Sequence, residues 1–208
     1  MAGGKTFQFG LVIRGQYPIG DDMAKRFAET VAMARRAEAL GFDSLTKTSH
    51  FSSHPFQMFQ QVPLLARFTA EVPKLRLNAG IVILPLHTPL EVAENFAAID
   101  IMSGGKLIFG VALGYRDIEF KAFGVPMRDR VRRFEDNLIA IKRLWTEDTV
   151  SMKAGHFQPL VSRRTTAMVE VHCMAKAKKI MRASAPPRVR SLCSAACRLR
   201  VWVLGSAP

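Results

Sequence analysis

The chain has 208 residues, 49% hydrophobic and 23% charged, which suits a globular protein with one or two domains and a real core. No apolar run approaches the ~20 residues of a membrane helix, and MAGGKTFQFG lacks the basic-then-apolar order of a secretion leader, so no membrane partner and a cytoplasmic location are expected. The net charge of +13 suggests a nucleic-acid partner, but residues 160–208 hold three Lys, seven Arg and a single acid, Glu170, and so carry +9 of it, leaving the rest of the chain only mildly basic.

In chain order, the apolar run Phe7 to Ile13 predicts a first strand. Asp21 and Asp22 are N-cap candidates for a helix with Phe27, Val31, Ala34, Ala37 and Leu40 on one face, and Gly41 supplies its left-handed C-terminus. Phe42 to Lys47 reads as a second strand, and Pro63 as the opening of a second helix, PLLARFTAEV. Leu75 to Leu84 is a near-continuous apolar run, as in parallel strands buried on both faces. Thr88-Pro89-Leu90-Glu91 is a T-x-x-E capping box, and its helix stops at Ser103-Gly104-Gly105. Lys106 to Ala112 is a fourth strand. A helix follows from about Asp129 to Trp145, then a hairpin from Val150 to Gln158 centred on Ala154-Gly155.

Strands beginning near residues 7, 42, 75 and 106, with helices between them, define an α/β fold with a parallel sheet. The segment SGGKLIFGVALGYRDIEF could pass for a dinucleotide-binding turn. Gly110 and Gly114 are four apart, however, and no helix starts directly at Gly114, which excludes G-x-G-x-x-G. A doubly wound sheet and a barrel both fit the spacing, but an eight-unit barrel takes ~250 residues, and about four units are legible.

The segments AEALGFDSLTKTSHF, LRLNAGIVILPLHTPLEVAENFAAIDIMSGGKLIFGVALGYRDIEFKAFG and RRFEDNLIAIKRLW strongly resemble the bacterial luciferase-like flavin-dependent monooxygenases. Four ordered motifs carry the likeness: G-F-D running toward D-H, V-L-P-x-x-x-P, S-G-G-R, and G-x-G-x-x-x-x-E-F-x-x-x-G. It covers residues 7 to about 158. The resemblance implies a TIM-barrel fragment of four β/α units, and an oxidoreductase that uses reduced FMN and O2 on a small organic substrate. A deazaflavin-dependent reductase branch is the alternative.

The resemblance also implies site residues. His50, in KTSHF, stands at the family's D-H histidine and is the catalytic candidate, with Ser49 in place of the acid. Asn78, Ala79, Gly80 and Ile81 occupy a region that carries a kink, often a non-proline cis peptide, against the flavin ring. Gly114 and Tyr115 follow the fourth strand on the cofactor side. The loop Leu113 to Arg116 lacks the catalytic Glu of the deazaflavin-dependent sugar dehydrogenases, which favours the monooxygenase branch. Asn78 also stands out without the family, as a polar residue in an apolar strand that needs a hydrogen-bond partner. His54 and His87 lie in similar loops with lower weight. Cys193-x-x-x-Cys197 with distant His172-Cys173 lacks zinc-site pairing, so no metal is expected.

Residues 159–208 show no strand–helix alternation and read as an irregular basic tail whose composition resembles translation in a shifted frame. A genuine basic tail is the other reading. With Trp202 its only aromatic residue, it predicts no specific nucleic-acid binding. Two classes of function result: a flavin-dependent oxidoreductase, or a truncated, non-catalytic member of the family. The open edges of the first and fourth strands offer a route to a homodimer.

Overall fold

The computed structural model describes residues 7–154, 157–163 and 170–173. The elements in order are β1 (Gly10–Ile13), β2 (Tyr17–Pro18), α1 (Met23–Ala39), β3 (Ser44–Lys47), β4 (Phe56–Gln57), α2 (Gln61–Glu71), β5 (Arg76–Ile83), α3 (Pro89–Ser103), β6 (Leu107–Ala112), α4 (Asp117–Ala122), α5 (Arg130–Thr146), β7 (Thr149–Ala154), β8 (Phe157–Arg163) and β9 (Glu170–Cys173). The main sheet has the order β1-β3-β5-β6-β9, every neighbouring pair parallel.

The four expected strands therefore pair in sequence order. The fifth strand is a correction. The segment read as an irregular tail supplies β8, which lengthens the hairpin to Arg163, and β9, which covers the edge of β6 that was expected to stay open. The alternation was invisible because no helix separates β8 from β9 among the described residues. The helix that serves β9 is α5, placed before the hairpin.

Local chemistry sets the boundaries. Asp22 caps α1, its Oδ1 accepting from the N–H groups of Ala24 (2.9 Å) and Lys25 (3.1 Å). Gly104 ends α3 with φ +69°, the left-handed conformation that glycine adopts without steric penalty. The capping box at Thr88 is realised differently from the expectation. Its hydroxyl donates to Glu91 Oε2 (3.4 Å), and no backbone N–H of α3 is capped by a side chain.

Side chains alternate across the sheet. The register rows Leu45–Leu77–Leu107 and Lys47–Ala79–Phe109 face the helices and are buried. Phe109 meets Phe96 of α3 and Trp145 of α5 at ring-centroid distances of 4.8 and 5.3 Å, and the Trp145 indole N–H donates to the Ala93 carbonyl (3.0 Å). The opposite face carries the row Val12–Thr46–Asn78–Ile108. A buried Asn137 of α5 donates to the carbonyls of Leu84 (3.0 Å) and His87 (2.9 Å), and so fixes the turn that follows β5.

Candidate active site at the carboxyl ends of the strands

Parallel sheets bind ligands beyond the carboxyl ends of their strands, where connections to the helices diverge. Three such connections converge here. The segment after β3 carries His50, the segment after β6 carries Tyr115 and Arg116, and α4 carries Glu119. His50 Nδ1 lies 3.0 Å from Glu119 Oε1. The same oxygen accepts from the Phe51 N–H (3.0 Å) and from Arg116 (3.2 Å). Arg116 also donates to the carbonyls of Phe51 (3.1 Å) and Ser52 (3.4 Å), and thereby holds the His50 segment against α4.

Glu119 is 1% exposed, so its carboxylate is stable there only because these donors replace water. An ionised carboxylate can only accept, and Nδ1 must then carry the proton. That tautomer leaves the Nε2 lone pair free to take a proton. The imidazole side chain is 27% exposed. Tyr115, 77% exposed, presents its ring edgewise to His50, with centroids 6.4 Å apart.

These contacts revise the sequence reading of His50. Ser49 does replace the family's acid, but the imidazole is not left without a carboxylate, because Glu119 supplies it from another element. Glu119 is the candidate site residue that sequence reasoning missed. The available signal was the Glu of the E-F motif three residues after Arg116, an acid in a helix whose next residue, Phe120, is 1% exposed.

The Asn78–Ile81 segment forms a second cluster, with Asn78 on the face opposite the helices and Ala79 packed on the helix side. The Gly80–Ile81 peptide is cis, and the β5–β6 register shifts between Ala79 and Val82. Asn78 Nδ2 donates to Thr46 Oγ1 (3.1 Å), which satisfies half of the amide; Oδ1 has no partner among the described residues. Gly110 lies beside this segment, where a Cβ would stand 2.7 Å from the Ala79 carbonyl oxygen. Gly114, at φ +76°, has room for no side chain either, a Cβ there falling 2.6 Å from Ile83 Cγ2. Gly80 likewise sits against Thr46 and Asn78, where a Cβ would stand 2.6 Å from Thr46 Cγ2. Ile81 and Phe51 both pack on the cluster of Ile83, Leu86, Phe120 and Val125, which joins the two parts of the site.

The other candidates separate from this centre. His54 is exposed in the loop that precedes β4, and Gly104 and Gly105 serve the turn after α3. His172 pairs in register with Gly110 through the backbone. Cys193 and Cys197 lie outside the described residues. Among the described residues no three His, Cys, Asp or Glu side chains group as metal ligands, and no helix is long and apolar enough to cross a membrane.

Lys47, at the end of β3, is fully buried, and among the described residues its Nζ donates only to the carbonyls of Thr48 (3.0 Å) and Arg14 (3.4 Å). Burial lowers its pKa to about 8.

Residues 7–191 match the family described as luciferase-like monooxygenase, and the chain belongs to it. The match extends past residue 158 and includes β9. A 4-hydroxyprotoasukamycin monooxygenase of Streptomyces nodosus subsp. asukaensis is 26% identical over 69% of this chain and 39% of its own length. An FMNH(2)-dependent dimethylsulfone monooxygenase of Pseudomonas putida is 28% identical over 61% of this chain and 36% of that protein. An F420-dependent glucose-6-phosphate dehydrogenase of Amycolatopsis mediterranei is 27% identical over 62% of this chain and 41% of that protein. Relatives thus include both flavin and deazaflavin users. The crystal structure of monooxygenase RslO1 from Streptomyces bottropensis superposes with a TM-score of 0.76 at 24% identity, over 85% of this chain and 56% of that one. The chain spans about two fifths of the length of these curated relatives.

Proposed function

We propose that the chain is the flavin-binding, proton-handling part of a luciferase-like oxidoreductase that uses reduced FMN and O2 on a small organic molecule. The observation that carries this reading is His50 held by Glu119 at the carboxyl end of β3, with Gly80 and Gly110 carrying no side chain beside Asn78 in the same sheet. A planar tricyclic ring would lie against that part of the sheet, and the Asn78 Oδ1 would offer it an acceptor. Tyr115 and Ile81 would bound the ring. The reduced ring supplies two electrons when bound. The chain's own contribution is to orient the ring, keep bulk away from it, and move a proton at His50 Nε2.

The loop Leu113 to Arg116 carries no acid, so FMN is preferred over a deazaflavin in this reading. The partner is the small substrate, with no specific nucleic-acid or membrane complex. The location is cytoplasmic, and a homodimer forms on the open edge of β1.

The test is a titration of the full chain with FMN and with a deazaflavin, each oxidised and reduced, followed by fluorescence. Saturable binding of FMN, weakened by Tyr115→Ala, is expected. Tyr115 is exposed, so this change spares the fold. Absence of binding to either ring system overturns the proposal, and tighter binding of the deazaflavin moves the chain to the reductase branch.

A further inference from the structure

A cavity of about 240 Å³ opens between the N-terminal ends of α2 and α3. It lies on the helix-covered side of the sheet. Val82, which lines it, belongs to the main core, whereas the neighbouring Ile81 belongs to the cluster around Phe120. Gly80, Gly114 and Tyr115 are not among its walls. The cavity is therefore separate from the surface assigned to the flavin, although Ser49 and Phe51, on either side of His50, both reach it.

Its walls are mainly hydrocarbon: Phe51, Val62, Pro63, Val92 and Phe96. Three polar side chains interrupt them without hydrogen-bond partners among the described residues. Ser49 is 7% exposed, and an unsatisfied buried hydroxyl is uncommon. The His87 ring is held between those of Phe51 and Phe123, and burial holds its pKa below the ordinary range despite nearby Glu91, so it is neutral. Asn95 is half-buried. The first turns of both helices also line the cavity, and neither N-cap, Gln60 or Thr88, gives a side-chain hydrogen bond to them. Donors and the positive ends of two helices thus face one space.

The volume equals roughly eight water molecules, and the lining combines a larger apolar area with a few polar groups. An organic molecule with a single polar end meets such a lining. The donors call for an acceptor oxygen. The Glu91 carboxylate, also in the lining, opposes a full negative charge there.

We infer that the space between α2 and α3 binds a small neutral organic molecule with a carbonyl-type oxygen, read by Ser49 and Asn95, with its hydrocarbon body between Val62 and Phe96. The inference does not rest on flavin binding, and its test needs no flavin.

Three probes of similar outline separate the alternatives: acetophenone, its anionic counterpart benzoate, and ethylbenzene, which has no oxygen. Ligand-detected NMR titration of the full chain is expected to show saturable acetophenone binding, with benzoate weaker because the Glu91 carboxylate in the lining opposes its charge. Losing one neutral hydrogen bond weakens binding roughly 2- to 10-fold, so ethylbenzene, which loses those to both Ser49 and Asn95, should bind roughly 4- to 100-fold less tightly than acetophenone. Ser49→Ala, which removes one of them, should weaken acetophenone roughly 2- to 10-fold and leave ethylbenzene unchanged. Asn95→Phe, which fills the cavity from a half-exposed position, should abolish both. Should that variant melt early, Val62→Phe fills the space from the opposite wall. Absence of saturable binding, benzoate binding most tightly, or full affinity in a folded filled variant would overturn the inference.

Discussion

Glu119→Gln tests the candidate active site most directly. Glu119 is buried and its Oε1 accepts from the Phe51 N–H and Arg116 while facing His50 Nδ1. Glutamine keeps the shape and one acceptor oxygen but removes the charge. A hydrogen bond to a charged group contributes about 1.5–3 kcal/mol, against about 0.5–1.5 kcal/mol for a neutral one. Three such bonds weaken, and Arg116 is 26% exposed at its side chain, so part of the loss is screened. The expected destabilisation is about 2 kcal/mol, or a fall in Tm of about 4–8 °C for a chain of this size. Glu119→Ala, which strands the donors, should cost about 3–5 kcal/mol. Calorimetry and urea unfolding measure both. The ring nitrogen NMR shifts of His50 add a readout that a merely structural role would leave alone: the Nδ1–H tautomer dominates in the parent and mixes with the other in Glu119→Gln. A Glu119→Gln variant that melts within about 1 °C of the parent, with the His50 nitrogens unchanged, would refute the assignment.

Lys47→Met should stabilise the protein at pH 7 by up to about 3 kcal/mol, the linkage between an ordinary pKa of 10.5 and about 8. Between those values the unfolded chain holds the proton that the folded one has released. Parent stability relative to Lys47→Met therefore rises from pH 8 to 10.5, and a constant difference across that window would count against a buried ammonium. Gly110→Ala places a Cβ 2.7 Å from a backbone oxygen and should cost about 1–3 kcal/mol by overpacking; a melt equal to the parent would show that the strands can part there. Ending the chain at Gln158 removes β9 and uncovers the edge of β6, so light scattering should show more aggregation than for the full chain, and equal scattering would argue that β9 protects nothing.

The parts of the fold legible in the sequence were those whose signals are local. Asp22, Gly41, Pro89 and Gly104 mark helix ends through one residue's own chemistry, and each sits where it was expected, within a residue or two. The strands were legible because burial on both faces makes their apolar runs nearly continuous. β9 was not, because four residues, Glu170 to Cys173, gain their strand conformation from β6 and not from a run of their own. The two-residue pair of β2 and β4 is likewise too short to leave a pattern.

The candidate site divides in the same way. His50, Asn78 to Ile81, Gly114 and Tyr115 were candidates from their places in ordered motifs; His50 and Tyr115 come within 6.4 Å of each other after β3 and β6, and Asn78 to Ile81 lie within β5. Glu119 was hidden because its meaning is a contact across 69 positions. That contact follows from topology: β3 and β6 both border β5, so the segments leaving their carboxyl ends run side by side, and α4 is short enough to turn Glu119 back toward His50. An acid next to His50 in sequence would have to hold the ring from the same loop. An acid on α4 holds it from an element anchored by Phe120 in a buried cluster, so the imidazole inherits the rigidity of the core. Replacing Ser49 by Asp should therefore not substitute for Glu119. The double variant Ser49→Asp, Glu119→Gln is expected to melt no higher than Glu119→Gln alone, because the new carboxylate reaches neither the Phe51 N–H nor Arg116 from its side of the loop. Full recovery of Tm and of the His50 tautomer in the double variant would show that any neighbouring carboxylate suffices, and that the position of α4 is incidental to the site.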